Sequence, residues 1–332
     1  MNAIPTAALS FAFAALGAIR ASAAGPSREP LQPAFLTGTV AAVTGAFRVV
    51  TYNIENFGDG VGDKGRTPEI AAAHARDAAA LIARLDPDLV VLQEIENSKA
   101  LALLNEALPR PYPTGYVTDF RPRSGRIGDH NVAILSRVPV EDVVERDFGA
   151  LTGDAIPTRG FLRCTIPLSG DRRLVVYGTH LKSNYGRKDR NRTQRRIAME
   201  AIRADADEVL HGPGAAQVEV LLAGDMNTDP DSREFADDPT LDAFRGWIDL
   251  WRGRPLAERG TCPTRRGDPT REFPPAAFDR ILVAPAMTNR PWVVSSPRLL
   301  AEGVNTKDVF ALPGTGRGHV SDHHPVAVDI AP

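Results

Sequence analysis

The 332-residue chain is 43% hydrophobic, enough apolar material for one large domain or two small ones. Its formal net charge of −2 excludes a global field that attracts polyanions, so any nucleic-acid contact must come from a local basic patch. With 27 Pro and 28 Gly, long irregular connections are expected between elements.

The first 24 residues stand apart. "AIPTAALSFAFAALGAI" is apolar and uncharged, and the small residues Ala21, Ser22, Ala23 and Ala24 behind it suit signal peptidase. The stretch is short for a spanning helix, which needs about 20 apolar residues. It reads as a signal peptide over 1–24, which makes the mature protein secreted or periplasmic. Residues 25–45, rich in Ala, Pro, Gly and Thr, read as a linker or irregular N-terminal arm. Residues 46–332 read as one domain with no later membrane span and no feature that calls for an obligate protein partner. Cys164 and Cys262 are open to two readings, an exported disulfide or buried free thiols, and neither has a Cys or His at zinc spacing.

"FRVVTYNIEN" alternates with period two, so Asn53 and Glu55 share a face of a strand. "TPEIAAAHARDAAALIARL" predicts a helix with Thr67 as N-cap and Pro68 at its first position. His74 lies near its Ile70/Leu81/Leu85 stripe and reads as a packing or solvent-edge histidine. Then follow "DLVVLQE", "NVAILSRVPV", "FLRCTIPL", "RLVVYGTHL", "VEVLLAGDMN", "FDRILVA" and "PVAVDI", each a strand-like run. "RTQRRIAMEAIRADADEVL" fills one gap as a helix. Strands this numerous with few helices predict an α/β fold of two packed sheets flanked by helices.

Polar residues gather where these runs end or begin. Glu94 closes "DLVVLQE", His180 closes "RLVVYGTH", and Asp225 and Asn227 follow "VEVLLAG". Asp279 opens "FDRILV", while Asp322 and His323 precede "PVAVDI". If the second set of strands runs antiparallel to the first, every one of these groups reaches a single rim. Glu94, Asn53, Glu55 and Asp322 offer hard oxygen ligands, suited to Mg²⁺ or Mn²⁺ rather than zinc. His180 and His323 can move protons near neutral pH. Asp279 can orient one imidazole, and Asp225 with Asn227 pairs a candidate base with a neutral donor. No Ser or Cys stands in a nucleophile elbow, so water is the expected nucleophile.

"TYNIEN", "LVVLQEIEN", "YGTHLKS", "LAGDMN", "FDRILV" and "SDHHPV", in this order, resemble the endonuclease/exonuclease/phosphatase superfamily, the deoxyribonuclease-I-like fold. The resemblance covers about residues 46–330. It implies a four-layer α/β sandwich of two facing, mostly antiparallel sheets, with the site at one rim. It implies that Glu94 is the principal metal ligand, with Asn53 and Asp322 beside the same ion. His180 would contact the phosphate or protonate the leaving oxygen, and Asp225 and Asn227 would position water and the scissile group. His323, supported by Asp279, would complete the acid–base machinery and ranks ahead of Asp225 as the group that activates water. Glu55 stands where many members carry another residue, and His324 has no assigned role.

The superfamily acts on nucleic acids, lipids and small phosphoesters, so the fold leaves the substrate open. "KSNYGRKDRNRTQRR" begins two residues after His180 and carries seven Lys or Arg against the one acid Asp189. Read as a phosphate-tracking arm, with Lys182, Arg187, Lys188 and Arg190 on the substrate, it favours DNA or RNA. Tyr185 within it is placed to stack on a base. The expectation is therefore an exported, divalent-metal-dependent nuclease or phosphodiesterase. A lipid or small-molecule phosphoesterase is the alternative, followed by a binding protein without catalysis.

Overall fold

In the computed structural model the chain is described over residues 27–331, apart from 39, 41, 42, 44, 63–65, 121–129, 149–154, 264, 269, 270, 290, 291 and 309. The expected signal peptide lies outside the described residues. Strand β1 (Phe47–Phe57), helix α1 (Pro68–Leu85), strand β2 (Leu89–Ile95), helix α2 (Ser98–Ala107), and strands β3 (Thr114–Val117) and β4 (Asn131–Ser136) come first. Strands β5 (Glu141–Asp147), β6 (Phe161–Pro167) and β7 (Arg173–His180), helix α3 (Lys188–His211), and strands β8 (Val218–Asp225) and β9 (Asp279–Val283) follow. The chain then returns with β10 (Val326–Ala331) to the first group.

The first sheet has the order β10-β1-β2-β4-β3 and the second β5-β6-β7-β8-β9, each extended by short edge strands. Each contains one parallel pair, β1 with β2 and β7 with β8, whose crossovers are α1 and α3. The other neighbours among these ten strands run antiparallel. The predicted two-sheet sandwich is the observed one.

Alternation along the strands distributes the apolar side chains over three cores. Val49, Val91, Val132, Leu162, Val176, Leu221 and Ile281 face one another between the sheets. Tyr52, Val90 and Leu92 turn outward onto Ala75, Ala78, Ile82 and Leu101 of α1 and α2. Tyr177, Val220 and Leu222 turn onto Ala198, Met199 and Ile202 of α3. The result is a four-layer helix–sheet–sheet–helix stack, with each fully buried Val, Leu or Ile contributing roughly 1.5–3 kcal/mol. Helix α1 starts as expected: the Thr67 hydroxyl accepts from the Ile70 amide and Pro68 takes the first turn. His74 is fully buried and binds the Val320 carbonyl through Nε2 at 2.7 Å, so it is a packing residue.

Two expectations change, and the open reading of the cysteines is decided. The arm over 25–45 is not wholly irregular: Ser27–Pro30 pairs with β5 and Phe35–Leu36 with β3. A sheet edge asks only for a few backbone hydrogen bonds, which composition does not reveal. Helix α3 begins at Lys188, a turn before the apolar periodicity at Arg192. Asn191 holds that extra turn by donating to the Tyr185 carbonyl at 2.8 Å. Cys164 and Cys262 form no disulfide and both are buried, Cys164 between the sheets and Cys262 against Phe235 and Phe278.

Two glycines set close approaches below the rim. A Cβ on Gly178 would stand 2.9 Å from both Val91 and Val132, so here the sheets touch. Gly224 has φ +149°, and a Cβ there would sit 2.0 Å from the Thr179 carbonyl oxygen. Gly224→Ala is therefore predicted to force β8 away from β7 and to cost about 3 kcal/mol of stability. Chemical denaturation checks this, and a midpoint equal to wild type would mean that the two strands tolerate the separation.

Candidate active site

Register brings the polar strand ends together. In the second sheet Asp225 stands opposite His180 on one side and Asp279 on the other. In the first, Asn53 is paired with Gln93, next to Glu94, and Val326, just past Ser321–His324, is paired with Thr51. Both sets lie at the same end of the sandwich, because the parallel strands end where their antiparallel neighbours begin.

Local irregularity then turns the side chains toward each other. The β1–β2 register slips between Asn53 and Phe57, and the β2–β4 register between Gln93 and Ile95. Glu55, Asn56, Glu94 and Asn227 all have φ near +50 to +65°, four of the seven described non-glycine residues with positive φ. Such conformations cost on the order of 1–3 kcal/mol each, and they cluster here.

Asn53 lies at the centre. Its Nδ2 donates to Glu94 Oε1 at 3.1 Å and to Asp225 Oδ2 at 3.2 Å, while its Oδ1 accepts from the Glu55 amide. Asn53, expected beside the metal ion, has its oxygen on backbone and offers its N–H groups to two carboxylates. Glu94 Oε2 accepts from the Asn56 amide at 2.7 Å and faces His130 Nδ1 at 3.6 Å. Glu94 Oε1 faces His180 Nε2 at 3.7 Å, and Asp225 Oδ2 faces the same nitrogen at 3.5 Å. Burial would raise the Glu94 acid, but His130 and His180 override it and hold the carboxyl well below its ordinary range.

His323 and Asp279 form the tightest pair. His323 Nδ1 lies 2.6 Å from Asp279 Oδ2, and His323 Nε2 looks toward Asp225 Oδ2 at 3.9 Å and Asp322 Oδ1 at 3.8 Å. Burial would lower the imidazole, but Asp279 and Asp322 outweigh it and hold the ring well above its ordinary value, protonated. Asp279 is itself fixed by the Thr261 hydroxyl on its amide and Trp251 Nε1 on its carbonyl, each at 3.0 Å. His180 behaves oppositely: burial, then Arg159, keeps it well below the ordinary value and neutral. Its Nδ1 is buried without a hydrogen-bond partner.

Asn227 donates its backbone N–H to Asp225 Oδ1 at 2.8 Å and one side-chain N–H to the Leu181 carbonyl at 3.1 Å, leaving a second N–H. Beneath it Asp229 accepts from Arg259, Arg280 and the Ala277 amide, which ties the turn after β8 to the start of β9. Glu55 Oε2 binds His319 Nε2 at 2.8 Å. His324 turns away and binds the Glu302 carbonyl through Nδ1, a packing role.

The acids fit a divalent cation. Burial, reinforced by Glu94, lifts the Glu55 acid to about 8. Enclosure in the rim, with Glu55 adding to it, lifts Asp322 to about 7. Burial lifts Asp225 to about 7 against the opposing pull of His323. Carboxylates crowded so that each resists ionisation are what a hard cation neutralises. Among the described residues no three His, Cys, Asp or Glu are placed to hold a metal ion by themselves.

The basic arm divides into two parts. Arg195 is buried and binds Asp238, which Arg192 also approaches, and Arg196 pairs with Glu200. Lys182 folds back on Ser183 Oγ at 3.0 Å and the Tyr185 carbonyl at 3.2 Å, and burial followed by the neighbouring arginines lowers its amine to about 8. Arg187, Lys188 and Arg190 are exposed. Of the four cations expected on the substrate, Lys182 instead braces a loop, while Arg192, Arg195 and Arg196, outside that set, are met by acids.

His130, His319, Arg159, Thr261 and Trp251 were not anticipated. His130 was within reach, since it directly precedes β4 much as Asp279 opens β9. His319 carried no signal, because its partner Glu55 is remote in sequence.

The sequence matches the endonuclease/exonuclease/phosphatase family over residues 50–323, which takes in every rim residue from Asn53 to His323. No curated protein matches the chain. Beta toxin from Staphylococcus aureus shares the fold with TM-score 0.59, 18% identity, and coverage of 85% of this chain and 99% of that one. SmcL does so with TM-score 0.58, 20% identity, and coverage of 87% and 100%. D. rerio TDP2 complexed with single strand DNA product does so with TM-score 0.53, 19% identity, and coverage of 86% and 98%. With the family match spanning the rim and these structures repeating the sandwich, the chain belongs to the endonuclease/exonuclease/phosphatase family.

Proposed function

We propose that this protein is a divalent-metal-dependent phosphodiesterase that uses water as nucleophile and cleaves nucleic acid. The observation that carries the hydrolytic reading is the His323–Asp279 pair at 2.6 Å, facing Asp225 across a rim of partly buried carboxylates. Glu94 and Asp322, with Glu55 alongside, are the residues that would hold Mg²⁺ or Mn²⁺. A bound cation supplies Lewis-acid polarisation of the phosphoryl oxygen and offsets the charge that develops there. Asn53 keeps Glu94 and Asp225 apart at fixed spacing. Neutral His180 and the second N–H of Asn227 are donors for non-bridging oxygens. Protonated His323 cannot act first as a base, so Asp225 takes the proton from water, and the imidazolium gives electrostatic support to the phosphoryl group. In this proposal Asp225 ranks ahead of His323, the opposite of the order expected from sequence, on the support that Asp279 gives a charged ring.

The nucleic-acid part of the reading rests on Arg187, Lys188 and Arg190, exposed on the segment that leaves the site after His180. A similar fold in D. rerio TDP2 carries a single-strand DNA product, which supports the same substrate class.

Hydrolysis of DNA, RNA and a chromogenic small diester is predicted to stop in chelator and to return with Mg²⁺ or Mn²⁺. Glu94→Gln should lower activity by at least about 100-fold, more than the loss of an outer-shell partner. Near-wild-type turnover of that variant in limiting Mg²⁺ would falsify its assignment as ligand.

His323→Ala is expected to lower turnover about 100-fold or more, with Asp279→Asn harmful in the same direction. Since one acts through the other, the double variant should be little worse than His323→Ala alone. Losses that multiply in steady-state kinetics would mean that the two residues act independently.

Arg187, Lys188 and Arg190 replaced together by Gln should raise KM for DNA or RNA and flatten its salt dependence, because fewer counterions are released on binding. Turnover of the small diester should barely move. Equal damage to both substrates would assign these residues to the fold, and no damage to either would leave them a solvated face.

A further inference from the structure

We propose that Tyr185 is a stacking platform for an unpaired base of a single-stranded nucleic acid, a subsite that rests on the nuclease reading of the rim. Tyr185 is 75% exposed, the most exposed large apolar side chain among the described residues. Isolated exposure carries little meaning by itself. What distinguishes Tyr185 is that an exposed ring stands on a backbone with almost no freedom.

From His180 onward the loop is pinned at nearly every residue. The Leu181 amide donates to the Asp225 carbonyl at 2.9 Å, and the Leu181 carbonyl accepts from Asn227 Nδ2 and Arg159 Nη1. The Lys182 carbonyl accepts from buried Arg195 at 3.0 Å. Asn184 Nδ2 donates to the Asn227 carbonyl at 2.9 Å. The Tyr185 carbonyl itself accepts from Asn191 Nδ2 at 2.8 Å and Lys182 Nζ at 3.2 Å. Gly186 follows at φ +100° and places no side chain beside the ring. The cost of ordering a contact loop is thus met before a ligand arrives.

Position and charge indicate the ligand. Tyr185 is five residues from His180, so its backbone lies within about 18 Å of the reaction centre. That is a reach of a few nucleotides. Exposed Arg187, Lys188 and Arg190 follow it directly and match a phosphate backbone running past the ring. Base stacking on an aromatic face with cations alongside is how single strands are held without sequence preference. An anionic lipid surface also attracts cations, but it needs an apolar neighbourhood. Tyr185 is instead flanked by Ser183, Asn184 and Gly186.

The test compares a single-stranded oligonucleotide with an abasic one of equal length, which has the same phosphates and no bases, at saturating Mg²⁺. Tyr185→Ala should raise KM about tenfold for the base-bearing strand. It should leave the abasic strand and the small diester unchanged, and Tyr185→Phe should behave as wild type. Equal effects on both strands, or none on either, overturn the platform while leaving the nuclease reading intact. Loss of binding to phosphatidylserine vesicles without loss on the oligonucleotide overturns it in favour of a membrane contact. Wild-type protein that cleaves the small diester and neither strand defeats the nuclease reading itself, and the platform with it.

Discussion

The site depends on how closely the two sheets meet. Gly178 leaves β7 without a side chain at the point where Val91 and Val132 press across from the first sheet. A methyl there would push the layers apart. Asn53 bridges the rims with hydrogen bonds of 3.1 and 3.2 Å to Glu94 and Asp225, one from each sheet, and such bonds weaken quickly as the layers separate. The inter-sheet core thus does more than stabilise the domain. It sets the distance over which two groups of polar residues act on one another.

Given that distance, burial decides which group carries which charge. Glu94, next to His130 and His180, stays ionised, whereas Glu55, Asp322 and Asp225 are pushed up toward neutrality. His323 and His180 lie on the same rim yet take opposite states, because Asp279 touches only the first. A divalent cation would relieve the acids. Folding has already met the cost of crowding them, and of the positive-φ backbone at Glu55, Asn56, Glu94 and Asn227.

The segment after His180 carries this rigidity outward. Its first residues, Leu181 and Asn184, are tied to Asn227, and Arg195 and Asp238 anchor the helix that follows. Cations that looked alike in sequence therefore divide into those that hold the loop and those that face solvent. Any ligand bound along it meets a fixed surface continuous with the acids of the rim.

Much of this was legible in the sequence. Period-two apolar runs gave the strands, "TPEI" gave the start of α1, and polar residues at strand ends marked the rim with the right antiparallel logic. Those signals are local, since they reflect backbone pairing and side-chain alternation over fewer than ten residues. What tertiary structure alone decided are the relations between distant segments. Asn53 turns its amide rather than its oxygen to the carboxylates, and His319 meets Glu55 from 264 positions away. Arg195 is consumed by Asp238, Cys164 and Cys262 occupy separate cores, and Ser27–Pro30 completes a sheet edge. Each depends on which groups burial brings within a few ångströms. Charge, protonation and pairing respond to that distance, and no single stretch of sequence encodes it.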